Sequence, residues 1–255
     1  MKIKVLGCSG GIGGTLRTTS FLVDDDILMD AGTGVGDLSF EQLCKINHIF
    51  VTHSHLDHIA AIPLLLDTVF GMREDPITLY ATRETWDILK THIFNWSVWP
   101  DFSVIPTEDK PLLRHREITL GETVDLDGRR FTPVPANHVV PAVGFHLEGD
   151  SASMVFTGDT TTCNALWEVV NRIENLKYLV IETAFSDGEV EIARLSKHLC
   201  PSLLVEELRK MTPRGARVYI THLKPGEGEI IMHEIERDAY EFNARPLYNG
   251  HIFHI

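Results

Sequence analysis

The chain has 255 residues, 44% of them hydrophobic and 23% charged, which is ample to bury a full core and rules out disorder. Its formal net charge of −13 disfavours a long nucleic acid as partner unless basic residues gather on one face. The densest basic groups, Arg129-Arg130 and the residues around Lys210 to Arg217, read as solvated surface, so small or neutral substrates fit better.

In chain order, short β-rich runs come first, at Ile3 to Leu6, Ser20 to Val23, Ile27 to Asp30 and His48 to Thr52, divided by glycine and acidic turns. The apolar density from Ile59 to Phe70 is too long for a strand and predicts a helix, with Pro63 in its first turn or at a kink. Ala81 to Trp96 reads as a second helix. Strands follow at Arg130 to Val134, Ala142 to Leu147 and Ser153 to Thr157, then helices near Cys163 to Ile173 and Glu189 to Lys197. Tyr178 to Glu182 and Arg217 to Thr221 look like buried strands. Pro201 opens a helix running to Met211, and Glu229 to Phe242 forms the last one. Each half runs strands then helices with no proline- or glycine-rich linker between them, so residues 1–255 are expected to form a single α/β sandwich domain. No apolar run approaches the length that spans a bilayer, and Met1 to Gly7 is too short for a signal-peptide core. Four scattered cysteines form no Cys-x-x-Cys pair, and the expectation is a cytoplasmic protein with buried thiols and no membrane partner.

The chemistry concentrates in His53-Ser54-His55-Leu56-Asp57-His58, directly after the apolar strand Ile49-Phe50-Val51. In an extended segment His53 and His55 point to the same side and can meet one ion, whereas Asp57 and His58 lie where the chain turns into the next helix and can meet a second. Packing offers no reason to place four ligand-type residues at the carboxyl end of a strand. Imidazole and carboxylate suit zinc, and also iron or manganese, so the cluster does not choose its metal. Three downstream residues share the same context of an apolar strand ending in a polar side chain: His138, Asp159 and His222.

This pattern resembles the metallo-β-lactamase superfamily, whose His-x-His-x-Asp-His, His, Asp and His motifs occur here in the same order over nearly the whole chain. The resemblance implies a four-layer αββα sandwich and two divalent metal ions. It places His53, His55 and His138 on one ion, Asp57, His58 and His222 on the other, and Asp159 between them. His53 to Leu65 is similar to the signature of class II 3′,5′-cyclic nucleotide phosphodiesterases, departing from it at Ala61 and at Leu66-Asp67. Glu182-Thr183-Ala184-Phe185 followed by His198 resembles a segment of those enzymes and of tRNase Z, which implies that His198 reaches the scissile phosphate. Ile181 stands where tRNase Z has His, so that nuclease's acid–base pair reads as incomplete. Asp57 is implied as a ligand that also receives a proton from water. The activity expected is therefore hydrolysis of a small phosphodiester, such as a 3′,5′-cyclic nucleotide, by a metal-bridging hydroxide. Two divalent charges set against Asp57, Asp159 and that hydroxide leave a surplus of about one to attract an anion. The rivals are a tRNase Z-like RNA-processing endonuclease and a non-hydrolytic di-iron protein that binds oxygen or another small ligand. Relatives of this kind also make a homodimer a compatible state.

Two further segments carry weaker signals. Gly7-Cys8-Ser9-Gly10-Gly11 matches Gly-x-Ser-x-Gly, but Ile12-Gly13-Gly14-Thr15 is a poor helix start, so Ser9 reads as part of a turn lining the site and not as a nucleophile. His92, Phe94, Trp96, Trp99, Pro100 and Phe102 form an aromatic-rich patch that is a lid, core or subunit contact.

Overall fold

The structure, a computed structural model, describes residues 1–212 and 215–255; Arg214, within the basic group read around Lys210 to Arg217, lies outside the described residues. The first half supplies β1 (Lys2–Gly7), β2 (Ser20–Val23), β3 (Ile27–Ala31), α1 (Phe40–Leu43), β4 (His48–Phe50), α2 (Leu56–Ile59), α3 (Ala61–Val69), β5 (Ile77–Ala81) and α4 (Arg83–His92). A small hairpin of β6 (Pro106–Thr107) and β7 (Lys110–Pro111) leads to β8 (Leu113–Glu117). The second half supplies β9 (Val124–Leu126), β10 (Arg129–Pro135), β11 (Val143–Glu148), β12 (Ser153–Phe156), α5 (Asn164–Val170) and β13 (Leu176–Glu182). It ends with α6 (Val190–Ser196), α7 (Pro201–Leu208), β14 (Arg217–Thr221), α8 (Gly228–Asp238), β15 (Arg245–Pro246) and β16 (Ile252–His254).

Two seven-stranded sheets result, ordered β16-β1-β2-β3-β4-β5-β8 and β15-β14-β13-β12-β11-β10-β9. Residues of both sheets, among them Phe21, Phe50, Phe131, Phe145 and Phe156, pack into one buried cluster, which makes the sheets face each other. A second cluster joins the outer face of the first sheet to α3 and α4 through Leu28, Ile49, Ile62, Leu66 and Leu89. The third joins the outer face of the second sheet to α5, α7 and α8 through Val155, Leu179, Trp167, Leu204 and Ile231. Helices therefore cover both outer faces, and the four-layer αββα sandwich expected from the sequence is the architecture found.

Within each sheet one part is parallel: β3, β4, β5 and β8 in the first, and β12, β13, β14 and β15 in the second. Parallel strands put their carboxyl ends along one edge, so His53, Asp159 and His222, each just beyond such a strand, arrive at the same edge of the sandwich. Pro133 and Pro135 are tolerated in β10 because β9 pairs only as far as Phe131, so no ladder partner there needs their missing N–H.

The helix expected over Ala81 to Trp96 is shorter. Ala81 closes β5, whose fully buried Ile77, Leu79 and Ala81 alternate with Thr78 in the pattern of a strand, and Thr82 caps α4 by accepting from the Thr85 backbone N–H. The helix ends at His92, and Phe94 and Phe102 are core, with Trp99 packed against them. The Ile59 to Phe70 helix begins earlier, as α2 from Leu56, and continues as α3 with Pro63 in its first turn. All four cysteines are free, and among the described residues no helix is long and apolar enough to cross a membrane.

Candidate metal centre

β4 ends at Phe50, and the extended residues Val51 to His55 carry His53 and His55 out of the sheet with their ring centroids 4.7 Å apart. His55 occupies the position before the first turn of α2, so Asp57 and His58 lie in that turn and point to a neighbouring spot. His138 comes from the loop between β10 and β11, Asp159 from the turn after β12, and His222 from the residue after β14. His222 sits at φ 63°, in the left-handed region that a histidine adopts only when its surroundings hold it there. Gly10 packs so closely against it that a Cβ would stand 2.6 Å from its carbonyl oxygen and 2.9 Å from its ring. Ser9 hydroxyl donates to the Leu223 carbonyl, and the glycine-rich segment is a wall of the site, as the sequence suggested.

Two groups of side chains form, each with donor atoms within 4.8 Å of one another: His53, His55, His138 and Asp159, and Asp57, His58, Asp159 and His222. Asp159 divides its carboxylate between them. Oδ2 lies 3.6 Å from His53 Nε2 and 4.0 Å from His138 Nε2, while Oδ1 lies 3.3 Å from both His58 Nε2 and His222 Nδ1. Asp57 Oδ2 stands 3.7 Å from both His58 Nε2 and His222 Nε2, and its side chain is 29% exposed whereas Asp159 is enclosed. The seven residues singled out in the sequence, His53, His55, Asp57, His58, His138, Asp159 and His222, thus come together in these two groups.

The donor set fits a pair of cations. Among the described residues His53 Nε2, His58 Nε2 and His222 Nδ1 find no hydrogen-bond partner though buried, which is costly unless something else takes their lone pairs. Burial pushes His53 well below the ordinary imidazole pKa and brings His138 and His222 down to about 4, so these rings are neutral at pH 7, the form that ligates metal. Burial would raise the Asp159 pKa, but His222, His58 and His53 together hold it well below the usual carboxylate range.

Behind the donors stands a layer the sequence did not disclose. Asp30, fully buried at φ 52° inside β3, accepts from the Thr52 backbone N–H and hydroxyl, each at 2.8 Å, and its Oδ2 lies 2.7 Å from His58 Nδ1. That contact fixes which His58 nitrogen faces Asp159. Lys197 plays a similar part for His138: its carbonyl lies 3.1 Å from His138 Nδ1, and its Nζ donates to the His138 carbonyl at 3.1 Å and to Asn137 Oδ1 at 3.2 Å.

His198 lies just beyond α6, not within a helix, and its Nδ1 is 2.7 Å from Glu182 Oε1. Burial alone would lower its pKa, but Glu182 raises it. Its ring is stacked on His222 at 5.1 Å and edge-on to His138 at 4.9 Å, which places it beside both donor groups. Glu182 also accepts from the backbone N–H of Thr160 and Leu199, tying together the Asp159 turn and the His198 segment. Ile181, which stands where tRNase Z has His, is core, and the adjacent Glu182 is the partner of His198. Neighbouring residues of a strand face opposite sides, which is why Glu182 and not Ile181 meets His198.

The profile described as the beta-lactamase superfamily domain matches residues 26–223. The chain belongs to the metallo-β-lactamase superfamily. Within it, a probable 3′,5′-cyclic-nucleotide phosphodiesterase of Yersinia pestis is 27% identical over 206 residues, covering 71% of this chain and 58% of that protein. A ribonuclease Z of Mycobacterium bovis is 27% identical over 160 residues, covering 59% of this chain and 55% of that protein. The chain thus matches little more than half the length of these curated relatives. The crystal structure of unliganded yeast PDE1 shares the fold across 100% of this chain and 99% of its own, with a TM-score of 0.82 at 19% identity.

Proposed function

We propose that this member of the metallo-β-lactamase superfamily is a two-metal phosphodiesterase that hydrolyses a small phosphodiester, a 3′,5′-cyclic nucleotide. The observation that carries the reading is the His198–Glu182 pair set against both donor groups, because a buried imidazole held by a carboxylate beside a metal centre can donate a proton to the leaving oxygen of a phosphodiester. His53, His55, His138 and Asp159 would hold one ion, and Asp57, His58, Asp159 and His222 the other. Two divalent ions, zinc the first choice, would supply positive charge exceeding that of the carboxylates Asp57, Asp159 and Asp30 and would lower the pKa of water toward about 7.

Asp57, the more exposed carboxylate, accepts the proton released by the attacking water. Glu182 orients His198 through Nδ1 and raises its pKa, so that Nε2 is left to donate to the departing oxygen. Asp30 and Lys197 act behind the donors, holding His58 and His138 in one orientation.

The relatives named ribonuclease Z support a second reading, an RNA-processing endonuclease, and the net charge of −13 weighs against it because a long RNA would meet repulsion. The experiment is a panel of bis(p-nitrophenyl) phosphate, 3′,5′-cyclic nucleotides, a tRNA precursor and a thioester with the metal-loaded protein. The reading expects turnover of the first two. Cleavage of the tRNA precursor alone would replace it with the nuclease, and turnover of the thioester alone would end it.

A further inference from the structure

The edge that carries the metal centre continues past β4 to the carboxyl ends of β5 and β8, and there a cavity of about 620 Å³ lies between those strand ends and the loop joining β10 to β11. That loop is a wall with two faces. On one side Asn137 and His138 border the cavity, and on the other the His138 imidazole is turned toward the donor groups, its Nε2 3.1 Å from His55 Nδ1. The Lys197 ammonium braces the wall through Asn137 and the His138 carbonyl. His138 belongs both to the donor groups and to this lining, so a substrate whose phosphate sits at the metal centre would reach the space by passing His138.

The lining is that of a flat, neutral group with hydrogen-bonding edges. Leu120 and Val139, 58% and 49% exposed, present apolar surface to this space, and Pro141 adds to the bed. The start of α4 and the end of β8 supply Arg83 and Glu117, whose side chains meet at 2.6 Å. Both are well exposed, so their pairing adds little to stability and leaves a guanidinium fork and a carboxylate free to exchange partners. With Glu84 also present, the lining carries more acid than base, which repels a second phosphate. A nucleobase satisfies all of this: apolar faces, donors and acceptors around its rim and no charge. An RNA strand, with phosphates on both sides of each nucleoside, does not.

We propose that this cavity receives the nucleoside of a 3′,5′-cyclic nucleotide, with Leu120 and Val139 against the base and Arg83 and Glu117 at its edge. The assignment rests on the phosphodiesterase reading and adds where that enzyme's specificity resides.

The test compares Leu120→Asp and Arg83→Ala with the parent protein, metal-loaded, on 3′,5′-cyclic nucleotides, on bis(p-nitrophenyl) phosphate, which has no nucleoside, and on a tRNA precursor. Both positions are exposed, so neither change disturbs the core. Leu120→Asp is expected to lower kcat/KM for the cyclic nucleotide about tenfold or more, mainly through KM, and to leave bis(p-nitrophenyl) phosphate within about twofold. Arg83→Ala is expected to change the ratio of rates between purine and pyrimidine cyclic nucleotides. Equal losses on both substrates, or no loss on the nucleotide, would overturn the assignment. Turnover of bis(p-nitrophenyl) phosphate with none of any cyclic nucleotide would overturn it while leaving a phosphodiesterase, whereas no turnover of either would remove the functional reading itself. An effect confined to a tRNA precursor would give the cavity to RNA instead.

Discussion

Replacing Asp30 by Ala should weaken metal binding without touching any donor atom. Asp30 is fully buried, and its carboxylate accepts two hydrogen bonds from Thr52 and one contact from His58 Nδ1. The Thr52 hydroxyl can turn to His53 Nδ1, 3.0 Å away, but the Thr52 backbone N–H and His58 Nδ1 lose their acceptor. Each buried group left unpaired costs about 1 to 3 kcal/mol, so the chain should lose roughly 3 to 5 kcal/mol of stability once the volume of the missing carboxylate is included. For a chain of this size that lowers the melting midpoint by on the order of 10 °C. Freed from Asp30, the His58 ring can rotate or shift its proton to Nε2, the nitrogen that faces Asp159, and affinity for the ion on that side should fall about 10- to 100-fold. A competitive titration with a chromophoric chelator measures the affinity, and a thermal melt of the metal-free protein measures the stability. An Asp30→Ala protein that binds both ions within about twofold of the parent would refute the argument that this carboxylate orients His58.

Other consequences follow from the same geometry. His198→Ala should lower kcat by about a hundredfold or more while metal content stays unchanged, since His198 stands beside the donors and is not one of them; parallel loss of metal would place it in the coordination set. Gly10→Ala should displace His222, because its Cβ would meet the His222 carbonyl at 2.6 Å, and elemental analysis should show a lower metal content. Asp101 gives a test away from the site. Burial would raise its pKa, but Lys90 and Ser103 hold it below the usual carboxylate range, so the stability it contributes is present above that range and is lost as pH falls through the lower folded-state value. Denaturant melts of Asp101→Asn should therefore differ from the parent at neutral pH and converge with it in acid; a gap that persists in acid would contradict the pairing.

The donors were legible because each announces itself locally. His53 to His58 is dense enough to stand out, and His138, Asp159 and His222 each end an apolar run; Asp159 and His222 meet because β12 and β14 belong to the parallel part of their sheet, and His138 joins them from the loop between the antiparallel β10 and β11. Asp30 gives no such signal. At the end of Ile27 to Asp30 it looks like any polar residue closing a strand, and its partners Thr52 and His58 are set by the pairing of β3 with β4, which no local pattern states. The contact of Glu182 with His198 was not legible for a related reason: only the facing of β13 decides that Glu182 points to the site. β8 was invisible because Leu113-Arg114-His115-Arg116-Glu117 is polar at nearly every position. It is an edge strand, and edges carry charge without cost.

The most direct measurement is the metal content of the protein after equilibration with excess zinc and removal of the unbound ion, read by elemental analysis alongside Asp159→Ala. Two ions per chain are predicted for the parent protein, and Asp159→Ala is predicted to lose affinity for both, since each oxygen of that carboxylate faces a different donor group. A parent protein that takes up no metal, or an Asp159→Ala protein that keeps two ions as tightly, would contradict the shared centre.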